Sequence, residues 1–354
     1  MMDERWLPAD ADGVFEGGGV KGIALVGGLS AAEEAGVERW KNVAGTSAGA
    51  IVACLVAVGY AAERLHEIMK PLRYAEFADY GWPGQVRGFL WNQFRMRGLA
   101  PGLFFKQWLA KQIAQSPLAQ EVGETELRFK DVVRRDLPEG LSEDELQRAR
   151  YRLQVIASDL TGGRMLVLPH DIAGFALTKG GSPIEPDELL LVDAVRMSMS
   201  YPYLFAPATV WKGETPYFIV DGGLLSNFPI WLFDAHGRPP ARPTWGFRLH
   251  GGVSPEEQPP YRKIPMPFWR IKLLKAMFEA STGAWDQRQL GAATSARTVS
   301  IPTGTIATTD FGLTPDQADS LFETGRSRAQ EFFSSDDTKR YLEAFAERRA
   351  STRV

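Results

Sequence analysis

Three stretches of this 354-residue chain carry residue types that could do chemistry together. The first is Gly45-Thr46-Ser47-Ala48-Gly49, a serine between two glycines, with small apolar residues before it and the apolar run Ala50-Ile51-Val52-Ala53 after it. That layout describes a nucleophile elbow: a strand ends, the chain turns sharply at Ser47, and a helix leaves at once. Such a turn is strained and wants neighbours without bulk, here Gly45, Ala48 and Gly49. The helix N-terminus behind the serine favours developing negative charge. The pentapeptide alone also fits an ordinary turn, so the reading depends on what the rest of the chain supplies.

The second stretch is Gly17-Gly18-Gly19-Val20-Lys21-Gly22, placed between the strand candidate Val14-Phe15-Glu16 and a helix that runs from Ile23 through Ala35 to Gly36. Backbone amides in such a loop are unobstructed by side chains and can face an anion. A Walker phosphate loop does not fit, because Lys21 precedes the last glycine and no Ser or Thr follows it. Gly17, Gly19 and Gly22 match the dinucleotide spacing formally, but that fingerprint wants an acidic residue about 20 positions later at the end of a second strand, and the region runs into the elbow strand instead. If the two strands are parallel neighbours, their tips share one edge of the sheet, and the amides of Gly18, Gly19 and Val20 can meet an oxyanion formed at Ser47.

The third stretch is Tyr217-Phe218-Ile219-Val220-Asp221-Gly222-Gly223, an apolar strand ending in an aspartate and two glycines. An aspartate at a buried strand tip is costly unless something polar meets it. On its own it reads as an Asx-turn. Paired with Ser47 it reads as a general base. Asp159 also ends a strand, Tyr151 to Ala157, and is read as a turn residue leading to a hairpin with Arg164–Leu168.

Several elements must position these groups. Leu189 to Ser200 reads as a helix stopped by Pro202 and Pro207, Thr244 to Leu249 and Arg297 to Ile301 as strands, and Phe268 to Arg288 and Asp316 to Phe333 as helices. Alternation of strands and helices predicts an α/β domain over 10–334. The remainder, 335–354, reads as a charged tail, helical at most and mobile. Between Tyr74 and Ala100, Trp82, Phe89, Trp91 and Phe94 interleave with Arg87, Arg95 and Arg97. This stretch reads either as packing on the sheet or as a lid or membrane-facing insertion, since Trp beside Arg suits a water–lipid boundary.

Composition narrows the class. A hydrophobic fraction of 44% supports a buried core, and a net charge of −3 gives no case for nucleic acid as partner. The single cysteine, Cys54, excludes an intrachain disulfide and a Cys-based zinc site. No metal or cofactor is expected. The charged start Met1 to Trp6 lacks the apolar core of a signal peptide, and no apolar run reaches the ~18 residues of a membrane span. The expected location is therefore the cytoplasm, with peripheral membrane contact or leaderless secretion left open.

Taken in order and spacing, these residues resemble the patatin-like phospholipase family. The match comprises Gly17 to Gly22, Gly45 to Gly49 and Asp221-Gly222-Gly223, supported by Ala157 to Gly162, Arg196 to Pro202, Asn227-Phe228-Pro229 and Asp310-Phe311. The resemblance implies a three-layer α/β/α fold with a mostly parallel central sheet, and a Ser–Asp dyad without histidine. It assigns Ser47 as nucleophile, Asp221 as base, and Gly17, Gly18, Gly19, Val20 and Lys21 as the oxyanion loop, with Lys21 also suited to an anionic headgroup. The implied reaction is hydrolysis of carboxylic esters in phospholipids, lysophospholipids or acylglycerols through an acyl-enzyme. Met197 and Met199 stand where smaller residues are common in the family. Three alternatives stay open: an α/β-hydrolase triad using His236 or His250, an inactive lipid-binding module, and a transacylase. If Trp82 and Trp91 face lipid, replacing both by serine weakens vesicle binding, measured by co-sedimentation, more than hydrolysis of a soluble short-chain ester. Equal losses indicate core packing.

Overall fold

The computed structural model describes residues 6–72, 76, 100–137, 143, 146, 149–202, 204–234, 240–251, 292–308 and 310–351. The elements that position the site are the strands β1 (Asp10–Phe15), β2 (Arg39–Thr46), β3 (Leu153–Asp159), β4 (Arg164–Leu168), β5 (Ala208–Lys212), β6 (Thr215–Asp221), β7 (Thr244–His250) and β8 (Thr298–Pro302). The helices are α1 (Gly22–Glu34), α2 (Ala48–Ala57), α3 (Ala62–Met69), α4 (Leu103–Ala114), α5 (Leu191–Ser198), α6 (Pro315–Ser334) and α7 (Asp336–Ser351). Strand neighbours run β5–β6–β3–β2–β1–β7–β8, with β4 also on β3. The pairs β1–β2, β1–β7, β2–β3 and β7–β8 are parallel, and β3–β4, β3–β6 and β5–β6 are antiparallel.

Period-two alternation sorts the side chains of the inner strands onto two faces. On one face Phe15 of β1 stacks on Phe247 of β7, ring centroids 5.2 Å apart, within the main core that α1, α2 and α6 complete. On the other face Val14 and Ala44 pack with Phe228 and Ile230. All seven residues of β3 are buried, the polar Gln154, Ser158 and Asp159 included. This is the expected α/β fold with a mostly parallel sheet. The start of α6 follows local rules: the Thr314 hydroxyl accepts from the Gln317 amide at 3.3 Å, the Gln317 side chain accepts from the Thr314 amide at 2.9 Å, and Pro315 occupies the first turn.

The C-terminal segment corrects the expected mobile tail. It forms the helix α7, and Tyr341 packs its ring 5.6 Å from that of Trp245, which also meets Phe333 at 5.3 Å. Charges dominate the composition of α7, but Tyr341, Leu342 and Phe345 fall on one side and cover the start of β7. Of the aromatic stretch at 74–100, only Glu76 and Ala100 are among the described residues. Trp82, Trp91, His236 and the helix expected at Phe268 to Arg288 lie outside them. No helix among the described residues is long and apolar enough to cross a membrane. Phe345 is 7% exposed, so Phe345→Ala is expected to cost about 3 kcal/mol in urea unfolding. An unchanged midpoint returns the segment to a loosely attached tail.

Candidate active site

The site begins with the way β3 is shared. Along one flank, β4 borders Val155 to Asp159. The other flank is divided: β2 pairs with Leu153 to Ile156, ending at Thr46, and β6 pairs with Ala157 to Asp159, ending at Asp221. Thr46 lies opposite Ile156 and Asp221 opposite Ala157, so the tips of a parallel and an antiparallel strand meet end to end. Ser47 and Asp221, 174 positions apart by their numbers, become neighbours for that reason.

Ser47 is the one non-glycine residue with positive φ among the described residues, at φ 52° and ψ −123°. A conformation of this kind costs ~1–3 kcal/mol and persists only where its surroundings hold it. Here the Ser47 amide donates to Ser198 Oγ at 2.8 Å, and the Thr46 hydroxyl donates to the Ser226 carbonyl at 3.1 Å. Gly49 sits directly beneath the carbonyl of Phe15, where a Cβ has no room, so α2 leaves the elbow pressed against the end of β1.

Asp221 is 2% exposed. Its Oδ1 accepts from the Gly223 amide at 2.8 Å and its own amide donates to the Ser200 carbonyl at 3.0 Å. Oδ2 has no hydrogen-bond partner among the described residues. Burial pushes the carboxyl up to about 7, with the nearby Ser47 hydroxyl and the Gly223 amide pulling it back. The Ser47 hydroxyl is near enough to the carboxyl to act on it as a hydrogen-bond donor, and it also contacts Met199 Sδ at 3.6 Å.

The glycine loop supplies fewer open amides than its sequence suggests. Gly17 N–H donates to the Asn227 carbonyl at 3.1 Å, Val20 N–H to the Thr308 carbonyl at 3.2 Å, and Lys21 N–H to the Gly18 carbonyl at 3.2 Å. The amides of Gly17, Val20 and Lys21 are therefore occupied; of the three amides expected to face the oxyanion, those of Gly18, Gly19 and Val20, this corrects Val20. Those of Gly18 and Gly19 make no hydrogen bond among the described residues. Gly19 takes φ +57° with the Thr308 carbonyl against its Cα, a place only glycine fits. The loop is held by Asn227, whose side-chain amide donates to the Gly17 carbonyl at 3.0 Å and to Glu16 Oε1 at 3.3 Å.

An apolar cleft opens beside Ser47, lined by Gly19, Ile51, Met69, Met199, Leu204, Phe205 and Phe311. Arg196 braces its rim: one nitrogen donates to Ser200 Oγ at 2.6 Å and another to the carbonyls of Pro101 at 2.8 Å and Ala206 at 3.0 Å. Sequence reasoning assigned no role to Ser198, Ser200, Asn227 or Thr308. The first three lie in stretches already singled out by resemblance, but nothing in their types says which backbone group each one holds.

Other polar groups fall elsewhere. Asp159 accepts from the Gly162 amide at 2.8 Å, as a turn residue does. His250 meets Ser300 Oγ at 3.0 Å, His66 meets Asp319 at 3.1 Å, and His170 meets Asp171 at 3.0 Å. None of these three reaches Ser47 or Asp221. Cys54 is buried among apolar side chains, its thiol pushed up to about 12 by burial. No group of three or more His, Cys, Asp or Glu side chains able to hold a metal occurs among the described residues.

A family model described as patatin-like phospholipase matches residues 13–234 of this chain. The protein YqhO of Bacillus subtilis strain 168 is 35% identical over 324 residues, spanning 91% of this chain and 97% of its own length. R571 of Acanthamoeba polyphaga mimivirus is 24% identical over 222 residues, 62% of this chain and 60% of that protein. Among solved structures, VipD from Legionella pneumophila has a TM-score of 0.47 at 18% identity, covering 92% of this chain and 67% of that one. The type III effector ExoU has a TM-score of 0.46 at 18% identity, covering 95% of this chain and 54% of that one. The family match takes in all three stretches that form the site: the chain belongs to the patatin-like phospholipase family.

Proposed function

We propose that the protein is a serine lipid acyl hydrolase in which Ser47 is the nucleophile, Asp221 the base, and the amides of Gly18 and Gly19 the oxyanion donors. Membership of the family makes it a phospholipase-type hydrolase. The observation that most supports the finer reading is the meeting of the β2 and β6 tips along β3, which sets a strained serine beside a buried carboxylate with one unpartnered oxygen.

In this reading Ser47 Oγ attacks the ester carbonyl carbon while Asp221 Oδ2 takes the hydroxyl proton. The carbonyl oxygen becomes an oxyanion facing Gly18 and Gly19, and each such donor is typically worth about 3 kcal/mol in the transition state. The bond from the carbonyl carbon to the alcohol oxygen breaks, and that oxygen leaves with the proton held on Asp221. Water then attacks the acyl-enzyme, giving a proton to Asp221, and the acid departs as Ser47 Oγ recovers that proton. A carboxyl pushed up to about 7 is a far better base than an ordinary aspartate and still ionises near neutral pH. The substrate is a lipid ester met at a membrane or micelle surface, where Lys21, at the end of the glycine loop, suits an anionic headgroup.

Ser47→Ala and Asp221→Asn are each expected to lower kcat/KM at least ~10³-fold with the fold intact, because the two groups act as one unit. Near-normal turnover of Asp221→Asn sinks its role as base. The wild-type kcat/KM is expected to rise with pH and level off above about 7, as Asp221 loses its proton. Stability follows the opposite course. The folded pKa lies above the ordinary 3.8, so stability is full below that value and is lost as pH rises through about 7. That loss is at most about 4 kcal/mol. Asp221→Asn removes it, so the variant is expected to melt above wild type at pH 8, the gap shrinking towards pH 4. A gap independent of pH means that the carboxyl is not raised. Mass-spectrometric analysis of products from a lipid panel identifies head group, acyl position and acyl acceptor.

A further inference from the structure

We propose that the hairpin of β5 and β6, with Leu160, Leu177 and Phe218 exposed around it, is the surface by which this protein docks on an anionic lipid bilayer. The proposal deepens the reading as a lipid acyl hydrolase given above and rests on it for the kind of partner. Its starting point is where the hairpin stands. Because β6 reaches β3 from beyond the tip of β2, everything in β6 before Asp221 lies past the edge of the sheet where Ser47 sits. At strand spacing Phe218 is ~10 Å and Thr215 ~20 Å beyond Asp221. β5 runs beside β6, and the turn between β3 and β4 flanks its other side. Leu204 and Phe205, which line the cleft beside Ser47, lead directly into β5. A flat partner that meets this projection also meets the mouth of the cleft.

The chemistry of the projection suits such a partner. Leu160 is 50%, Leu177 53% and Phe218 46% exposed, a grouping of large apolar side chains in water. The Leu160 amide donates to the Phe218 carbonyl at 2.9 Å and the Phe218 amide to the Thr161 hydroxyl at 3.0 Å, so the two side chains stand next to each other. Ala176, before Leu177, exchanges amide–carbonyl bonds of 2.8 Å with Trp211 of β5, and the Gly180 amide reaches the Gly213 carbonyl at the hairpin tip at 3.3 Å. Single exposed apolar residues are ordinary, whereas a group beside a cleft marks a docking surface. Cations surround it. Arg164, Lys179 and Lys212 are exposed, and Glu214 is the one exposed acid in the turns 160–164, 177–181 and 212–218. Arg164 and Lys212 gather over the ring of Phe175, 5.7 and 4.4 Å from its centre. Apolar side chains ringed by cations match the boundary of an anionic bilayer, where the former enter the acyl region and the latter meet phosphates. A second copy docked through the same patch would set these cations against each other.

The test is co-sedimentation of the full chain with sucrose-loaded vesicles, in a Ser47→Ala background so that no lipid is consumed. The vesicles are phosphatidylcholine alone or in equal parts with phosphatidylglycerol. Binding is expected to be at least ~10-fold tighter to the anionic vesicles. Leu160→Ser with Phe218→Thr is expected to lower that binding at least ~10-fold, and Lys212→Gln about fivefold, the ~1 kcal/mol of one cation near an anionic surface. With Ser47 in place, the same variants are expected to hydrolyse soluble p-nitrophenyl butyrate within about twofold of wild type. Equal binding to both vesicles, or unchanged binding of the double variant, overturns the proposal. A parallel loss of butyrate hydrolysis also overturns it, because the residues then serve the fold. Self-association that the double variant loses in light scattering, with vesicle binding unchanged, gives the surface to a second copy instead. An active Ser47→Ala chain refutes the dyad and leaves the docking surface standing. A wild-type chain that binds through this surface and cleaves none of a panel of lipid esters refutes the hydrolase reading alone.

Discussion

The shared flank of β3 is the constraint on which the site depends. Hydrogen-bond ladders are directional and fully used in a buried strand, so two strands can occupy one flank only by stopping where the other begins. β2 stops at Thr46 opposite Ile156, and β6, arriving from the opposite direction, stops at Asp221 opposite Ala157. Both strand ends thus fall in the interior of the sheet, and neither can continue without colliding with the other. The sharp turn at Ser47 and the turn at Gly222-Gly223 are the local answers to that collision. In this arrangement the strain at Ser47 is part of the topology.

The second layer of control is a set of hydrogen bonds that spend backbone donors on geometry. Ser198 and Ser200 hold the Ser47 and Asp221 amides, and Asn227 and Thr308 hold those of Gly17 and Val20. Among the described residues, the amides of Gly18 and Gly19 and Asp221 Oδ2 make no hydrogen bond. Low-dielectric surroundings raise the value of each group left open, which is also why the Asp221 carboxyl is pushed up to about 7.

Much of the fold was legible because strong local signals lay where the elements are. The elbow, the hairpin of β3 and β4, the helix before the prolines and the capping of α6 each follow from residue types within a few positions. The packing of the C-terminal helix was not legible because eight charged residues from Asp336 to Arg349 outweigh the short stripe of Tyr341, Leu342 and Phe345 in any local count. Its apolar side has value only against Trp245, nearly a hundred residues away. Val20 was counted among the open loop donors for a related reason. The Gly17 and Val20 amides are occupied by the carbonyls of Asn227 and Thr308, which carry no mark in the sequence.

By itself, the sequence determined the chemistry on offer: a serine in a turn that tolerates no bulk, a run of exposed amides, and an aspartate at the end of an apolar strand. These are local properties, set by side-chain size, backbone freedom and the cost of burying charge, and they can be read one stretch at a time. Only the tertiary structure decided how the groups face one another. It paired Ser47 with Asp221 through a third strand, occupied the Val20 amide with the Thr308 carbonyl, and brought Met199 against the Ser47 hydroxyl. Those outcomes depend on register and on contacts between residues far apart in the chain, and hydrogen bonds such as Thr46 to Ser226 and Ser47 to Ser198 are fixed by packing, not by neighbours in the chain.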